Sequence, residues 1–303
     1  MHIVIPGAMP EPEVAAELAP HVAQCAPTLA RWLGLGMPDM TACPVAETWC
    51  TPLEHWLLRT RGFVPAQDEH ISAGLGPLRL PVTDDGPVWL AELIHMAPSR
   101  DGAALLPADT LAITAEQSAA LLEAARELIA DSGIDLTPDT PDTWRVHWPE
   151  PLQLACASPA LVAVSAVNDW WPQDAVARPW RRLVNSLQMA WYEHPVNQAR
   201  QREGLAPINS LWLYGGARCN QLTRPMPDDL RLETVLQSYA AAQDWGGWIA
   251  ALADLEQRCF APLAQTAPTL VLTGRERTVT LNTHAGWYRR LRPHDWRRWW
   301  CSR

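Results

Sequence analysis

Residues 191–216 read WYEHPVNQARQREGLAPINSLWLYGG, and no other stretch of the chain forces so many decisions on its own backbone. Pro195 has no amide donor and biases His194 away from helical geometry, so a helix arriving from upstream stops there. The same proline suits the first turn of a new helix over VNQARQR, which Gly204 ends. Leu211 to Tyr214 is then a short apolar strand closed by Gly215-Gly216.

The elements on either side follow from periodicity. Upstream, Pro179 opens the strongest helix of the chain, with Trp180, Leu183, Val184, Leu187, Ala190 and Trp191 on one face. Thr114 and Gln117 have the spacing of a capping box, and Leu121, Leu122, Ala125, Leu128 and Ile129 line the helix they open, with Gly133 as its stop. HIVIP at residues 2–6 is a first strand. Val14 to Leu33 is helical, with Pro20 and Pro27 splitting it into pieces, and Thr51-Pro52 opens a further helix.

VWLAELIHM from Val88 is a buried strand or a helix end, which periodicity alone does not decide. Residues 144–148, 152–156 and 161–167 read as strands. Residues 232–239 and 245–260 read as helices, and 269–283 as a hairpin around Gly274. Residues 64–86 have no period and carry Pro65, Gly74, Gly76, Pro77 and an Asp-Asp-Gly turn, which reads as a mobile loop or boundary. The sum is a mixed α/β protein with a sheet flanked by helices. Its segments are 1–87, an N-terminal α/β region; 88–216, centred on the motif; 217–286, helices and a hairpin; and 287–303, a tail.

Charge and composition restrict function. The net charge is −9, so the body as a whole is not drawn to nucleic acid or anionic membrane. All 24 basic residues are Arg. Without Lys there is no Walker-type phosphate loop and no Lys Schiff base. The 7 Cys are scattered without a C-x-x-C pair, which fits reduced structural thiols. The N-terminus lacks a secretory signal pattern and no run is apolar enough to span a membrane, so the expectation is a cytoplasmic protein with no transmembrane segment.

The pattern HPVN-x2-AR-x3-GL-x-PINSLWLYGG resembles a stretch near the middle of archaeal-type cofactor-independent phosphoglycerate mutases, and more closely the bacterial regulatory proteins of RpfE type. The likeness covers 88–216 and is most specific over 191–216, and it marks 88–216 as similar to the mutases' inserted domain. It implies an alkaline-phosphatase-like fold. The mutases need an Asp at the end of the first strand, a Ser or Thr that is phosphorylated, and a C-terminal Asp/His cluster holding two Mn²⁺-type ions. Here the first strand ends in Pro6-Gly7, and beyond Gly216 the only imidazoles are His284 and His294. The resemblance therefore implies a phosphoglycerate-mutase-like fragment lacking the full metal core: a non-catalytic regulatory protein with no cofactor, binding a protein partner or a phosphorylated small molecule. The alternative is an active phosphoryl-transfer metalloenzyme, with Mn²⁺ or another divalent ion.

Each motif residue has two readings. His194 breaks the helix and caps the preceding turn, Asn197 and Asn209 fix loops, and Arg200 and Arg202 pair with Glu193 or Glu203 on a solvated face. In the second reading His194, Asn197, Arg200 and Asn209 converge on an anionic ligand that Gly215 and Gly216 let approach the backbone. The tail, WYRRLRPHDWRRWWCSR, is a separate candidate. Arg289, Arg290, Trp296, Arg297, Arg298, Trp299 and Trp300 mix guanidinium and indole groups as single-strand nucleic-acid binders do, or as a protein or membrane contact would. It can equally fold back onto its own body, with Trp covering apolar surface.

Overall fold

Two compact units make up the computed structural model, which describes residues 1–100, 102–266, 268–283 and 295–302. Unit 1 comprises Met1–Glu47, Thr51–Trp56 and Met226–Arg303, and unit 2 comprises Thr48–Cys50 and Leu57–Pro225. The four sequence segments do not coincide with these units: 1–87 contributes to both, and 217–225 goes with unit 2. The reason is long-range pairing, which local pattern does not encode.

In unit 1, β1 (His2–Pro6) is the apolar run expected, with Ile3, Val4 and Ile5 fully buried. It lies parallel between β8 (Leu230–Leu232) and β9 (Thr269–Thr273). β9 turns back at Gly274 into β10 (Arg277–Asn282), which pairs antiparallel with β2 (Met37–Ala42), giving the order β2-β10-β9-β1-β8. Helices Pro12–Cys25, Pro27–Leu35 and Trp245–Leu255 supply the apolar faces that complete this unit's core. The split at Pro27 is as expected, but Pro20 sits inside the first helix rather than dividing it. Residues 232–239 are part strand and part helix, with Val235–Ala241 the helical portion.

Unit 2 is built on β3 (Trp89–Ser99), which resolves the ambiguity at Val88 in favour of a strand. Its first half lies antiparallel between β6 (Thr143–His147) and β7 (Ser210–Gly215), and its second half pairs with β4 (Gly102–Leu106). β5 (Asp135–Thr140) pairs with β6. A strand flanked on both edges and covered by helices reads as a nearly continuous apolar run, which is why WLAELI showed no alternation. The helices Ala115–Ile129 and Arg178–Tyr192 cover it, and the Thr114/Gln117 capping box forms with both bonds made.

Three expectations change here. Residues 152–156 and 161–167 are not strands: Ser158 accepts from the Leu161 amide and Pro159 takes the first helical position, so a helical turn forms over Pro159–Val162. Residues 64–86 are not simply a loop. The His70 side chain caps a turn at Ile71–Gly74, a short helix Leu75–Arg79 follows, and Ser72 to Pro77 are buried. No described helix is long and apolar enough to cross a membrane.

Candidate functional site

The motif at 191–216 folds locally as its prolines and glycine dictate. Helix Arg178–Tyr192 ends before His194, and Pro195 opens helix Pro195–Arg202. His194 Nδ1 accepts the Val196 amide at 3.2 Å, so the imidazole caps the helix that follows and not, as expected, the turn that precedes it; partial burial lowers its pKa. Asn197 is fully buried. Its Nδ2 donates to the carbonyls of Trp191 at 2.8 Å and Ile208 at 2.7 Å, and its Oδ1 accepts the Ile208 amide at 2.8 Å.

Arg200 is 1% exposed. Nε donates to Ala206 O at 2.8 Å, Nη1 to Gln117 Oε1 at 2.8 Å and Nη2 to Leu111 O at 2.6 Å, and burial lowers its pKa. It forms no ion pair with Glu193 or Glu203; the guanidinium instead ties the short helix to the capping box of helix Ala115–Ile129. Asn209 accepts from Met96 N at 2.7 Å and donates to Met96 O at 2.9 Å, extending the β3 ladder by a side chain. Gly215 and Gly216 have φ of +91° and +115°. A Cβ at Gly215 would lie 2.5 Å from Val88 O, and one at Gly216 2.5 Å from the Trp89 ring, so both glycines admit the protein's own chain. Asn197, Arg200 and Asn209 thus direct their polar groups into unit 2 itself, while half-buried His194 caps a helix through Nδ1.

The tail divides. Arg289 and Arg290 lie outside the described residues. Trp296 and Trp300 are buried in the unit 1 core, their rings 5.4 Å apart, and Trp300 Nε1 donates to Ala8 O at 3.1 Å. Arg297 stacks over the Trp296 ring at 5.3 Å, Trp299 is half-buried, and Arg298 is exposed. The described part of the tail folds back, and the Trp296 and Trp300 rings have no free face for a base.

The end of β1 is where the resemblance calls for a metal. The chain there reads Gly7-Ala8-Met9, Gly7 O accepts Trp248 Nε1 at 2.9 Å, and Ala8 O accepts Trp300 Nε1. With no carboxylate or imidazole at Gly7-Ala8-Met9, two of its carbonyls bonded to indoles and Glu11 the one acidic residue before the next helix, these residues do not fit a two-metal centre. Among the described residues no three His, Cys, Asp or Glu are grouped so as to hold an ion.

Two features escaped sequence reading. The first is a cleft of about 570 Å³ in unit 2 between the C-terminal end of helix Ala115–Ile129, the segment after β6 and helix Arg178–Tyr192. Pro149 and Pro151 stop β6 because neither can donate to a ladder, which turns the chain out to form one wall. Leu128, Ile134, Trp148, Leu152, Val176 and Leu183 make it mainly apolar; Ser132, Glu150, Arg182 and Ser186 are its polar lining. The Trp148 ring leans toward Trp180 at 6.1 Å. The second is Glu92, a carboxylate inside the apolar run of β3. Burial raises its pKa to about 7, against a hydrogen bond from Ala108 N at 3.0 Å and the charge of Arg79. A lone Glu in VWLAELIHM was a visible signal; a cleft formed by three distant segments was not.

No protein-family model matches the chain, and no curated protein does. Among solved structures, it is similar to the PH0037 protein from Pyrococcus horikoshii at 11% identity and a TM-score of 0.45, covering 93% of this chain and 86% of that one. It is also similar to a cofactor-independent phosphoglycerate mutase from Thermoplasma acidophilum DSM 1728 at 12% identity and a TM-score of 0.35, covering 93% and 90%. Both likenesses are loose, and neither neighbour's activity is carried over to this chain.

Proposed function

We propose that this chain is a non-catalytic, regulatory binding protein, acting through capture of a partner or small ligand in the unit 2 cleft. One observation carries the reading: the cleft has the size of a ligand site, and its polar lining is two hydroxyls, one carboxylate and one guanidinium, with no imidazole or thiol to activate a nucleophile. The inward bonding of Asn197, Arg200 and Asn209 supports it, because those groups serve the scaffold that holds the cleft's helices. The regulatory role is the one the RpfE-type resemblance implies, and no cofactor is required by it.

The test pairs activity with binding. Purified chain with added Mn²⁺ is expected not to interconvert 2- and 3-phosphoglycerate, and Leu128→Glu at the cleft rim is expected to abolish capture of whatever the intact chain retains. Turnover that tracks Mn²⁺ overturns the reading in favour of the metalloenzyme. Retention that is indifferent to Leu128→Glu but lost when Arg289, Arg290, Arg297 and Arg298 are together changed to Gln, and that weakens steeply with salt, moves the function to the tail and a nucleic-acid partner.

A further inference from the structure

The lining of the unit 2 cleft specifies the kind of molecule that fits it. Its walls are aliphatic and aromatic, and Leu128 and Val176 remain 44% and 43% exposed, so apolar surface continues to its edge. An occupant must therefore be apolar along most of its length. One cation lines the space. Arg182 is exposed and, among the described residues, has no ion pair within 4.0 Å. The first turn of its helix holds no acidic residue. Neighbouring Arg181 is turned away onto the carbonyls of Pro172 at 2.7 Å and Asp174 at 2.8 Å. Arg182 is left as a guanidinium fork without a planar anion to match it.

Desolvation decides which anion. The walls are apolar, and Glu150 lines the same cleft and is exposed, so among the described residues Arg182 is the one lining cation to meet a head that leaves water. A carboxylate matches the planar guanidinium fork and gives up the hydration of one charge, whereas a phosphate monoester gives up that of nearly two with no second cation to meet it. We propose that the cleft binds a medium-chain carboxylate, its apolar chain between the two helices and its head on Arg182. This rests on the cleft being the binding site of the preceding section, and names its ligand class.

The experiment is calorimetric titration of the full chain with dodecanoate, decanoate, dodecanol and dodecyl phosphate, each below its aggregation concentration. Dodecanoate is expected to bind saturably at one site, with decanoate about 15-fold weaker for the loss of two buried methylenes. Dodecanol is expected to bind at least about tenfold more weakly than dodecanoate, as for the loss of one charge-assisted contact, and dodecyl phosphate more weakly than dodecanoate because its second charge is desolvated without a cation. Arg182→Gln is expected to bring dodecanoate down to the dodecanol level, and Glu150→Gln to tighten dodecanoate. Both positions are exposed, and unchanged thermal melting confirms that the variants fold.

Equal affinity for dodecanoate and dodecanol, or no effect of Arg182→Gln, overturns the carboxylate assignment while leaving the cleft as a binding site if Leu128→Glu still abolishes uptake. Tighter binding of dodecyl phosphate overturns it in favour of a phosphorylated ligand. Absence of saturable binding by all four overturns it too; the cleft itself then stands or falls on the Leu128→Glu capture test with a protein partner.

Discussion

Asn197 and Ile208 hydrogen-bond each other twice: the amide of Asn197 donates to Ile208 O at 2.7 Å while Ile208 N donates to Asn197 Oδ1 at 2.8 Å. A side chain here imitates a strand partner and closes the loop between helix Pro195–Arg202 and β7. Asn197→Ala leaves the Ile208 amide and carbonyl without their partners in the interior, while Trp191 O keeps the His194 amide. The expected loss is about 3 kcal/mol, since each stranded buried group costs roughly 1–3 kcal/mol. Denaturant unfolding monitored by circular dichroism measures it, and Asn197→Asp, which cannot donate, is expected to fare no better.

Arg200 separates the structural reading of the motif from the ligand reading. Its three bonds run to Ala206 O, Gln117 and Leu111 O. Lys cannot reproduce that fork, so Arg200→Lys is expected to destabilise by about 2–4 kcal/mol. Millimolar phosphate is expected to protect wild type and variant equally from thermal unfolding. Protection of the wild type alone would put an anion on Arg200 after all.

Glu92 makes stability depend on pH in a direction opposite to that of a paired surface carboxylate. Its ordinary value is 4.5 and burial in the folded protein raises it to about 7, so the folded state holds the proton more tightly than the unfolded one. Between those values the folded protein binds more protons, and stability falls as pH rises. The contribution is complete below about pH 4.5 and gone above about pH 7. It amounts to about 3 kcal/mol as an order of magnitude, with Arg79, Asp142 and Asp109 as the facing charges. Glu92→Gln is expected to flatten this part of the stability profile and to exceed wild type at pH 8. A profile unchanged by the substitution refutes the assignment.

The two kinds of tail residue predict opposite results. Trp300 is 1% exposed and bonded to Ala8 O, so Trp300→Ala is expected to cost about 3–5 kcal/mol. Arg298 is in solvent, and Arg298→Ala is expected to change stability by less than about 0.5 kcal/mol. If Trp300→Ala proves neutral by thermal unfolding, the tail is detached in solution.

Gly216 has a φ of +115° and its missing Cβ would meet the Trp89 ring. Gly216→Ala is expected to destabilise by at least about 2 kcal/mol from strained backbone and displaced indole together. A stability equal to wild type would mean that the ring moves freely, contrary to its burial.

What the sequence determined by itself was local. The cap at Thr114, the stop at Pro195, the amphipathic helix after Pro179, the strand at 2–6 and the hairpin at 269–283 all follow from residues within one or two turns of each other. Such features depend on backbone donors, allowed φ values and the period of apolar side chains, and those are written in neighbouring positions. The tertiary structure decided everything that needs distant partners. It put Pro159–Val162 into a helical turn, where local apolarity at 161–167 was neutral between helix and strand. It brought residues 230–232 and 269–273 beside the first strand, and it turned the motif's amides and guanidinium inward. Whether Arg200 serves a ligand or the fold depends on what lies 89 residues away at Leu111. The cleft has the same origin: Leu128, Trp148 and Arg182 share a surface only because helices and a strand pack, and no local pattern records which faces will meet.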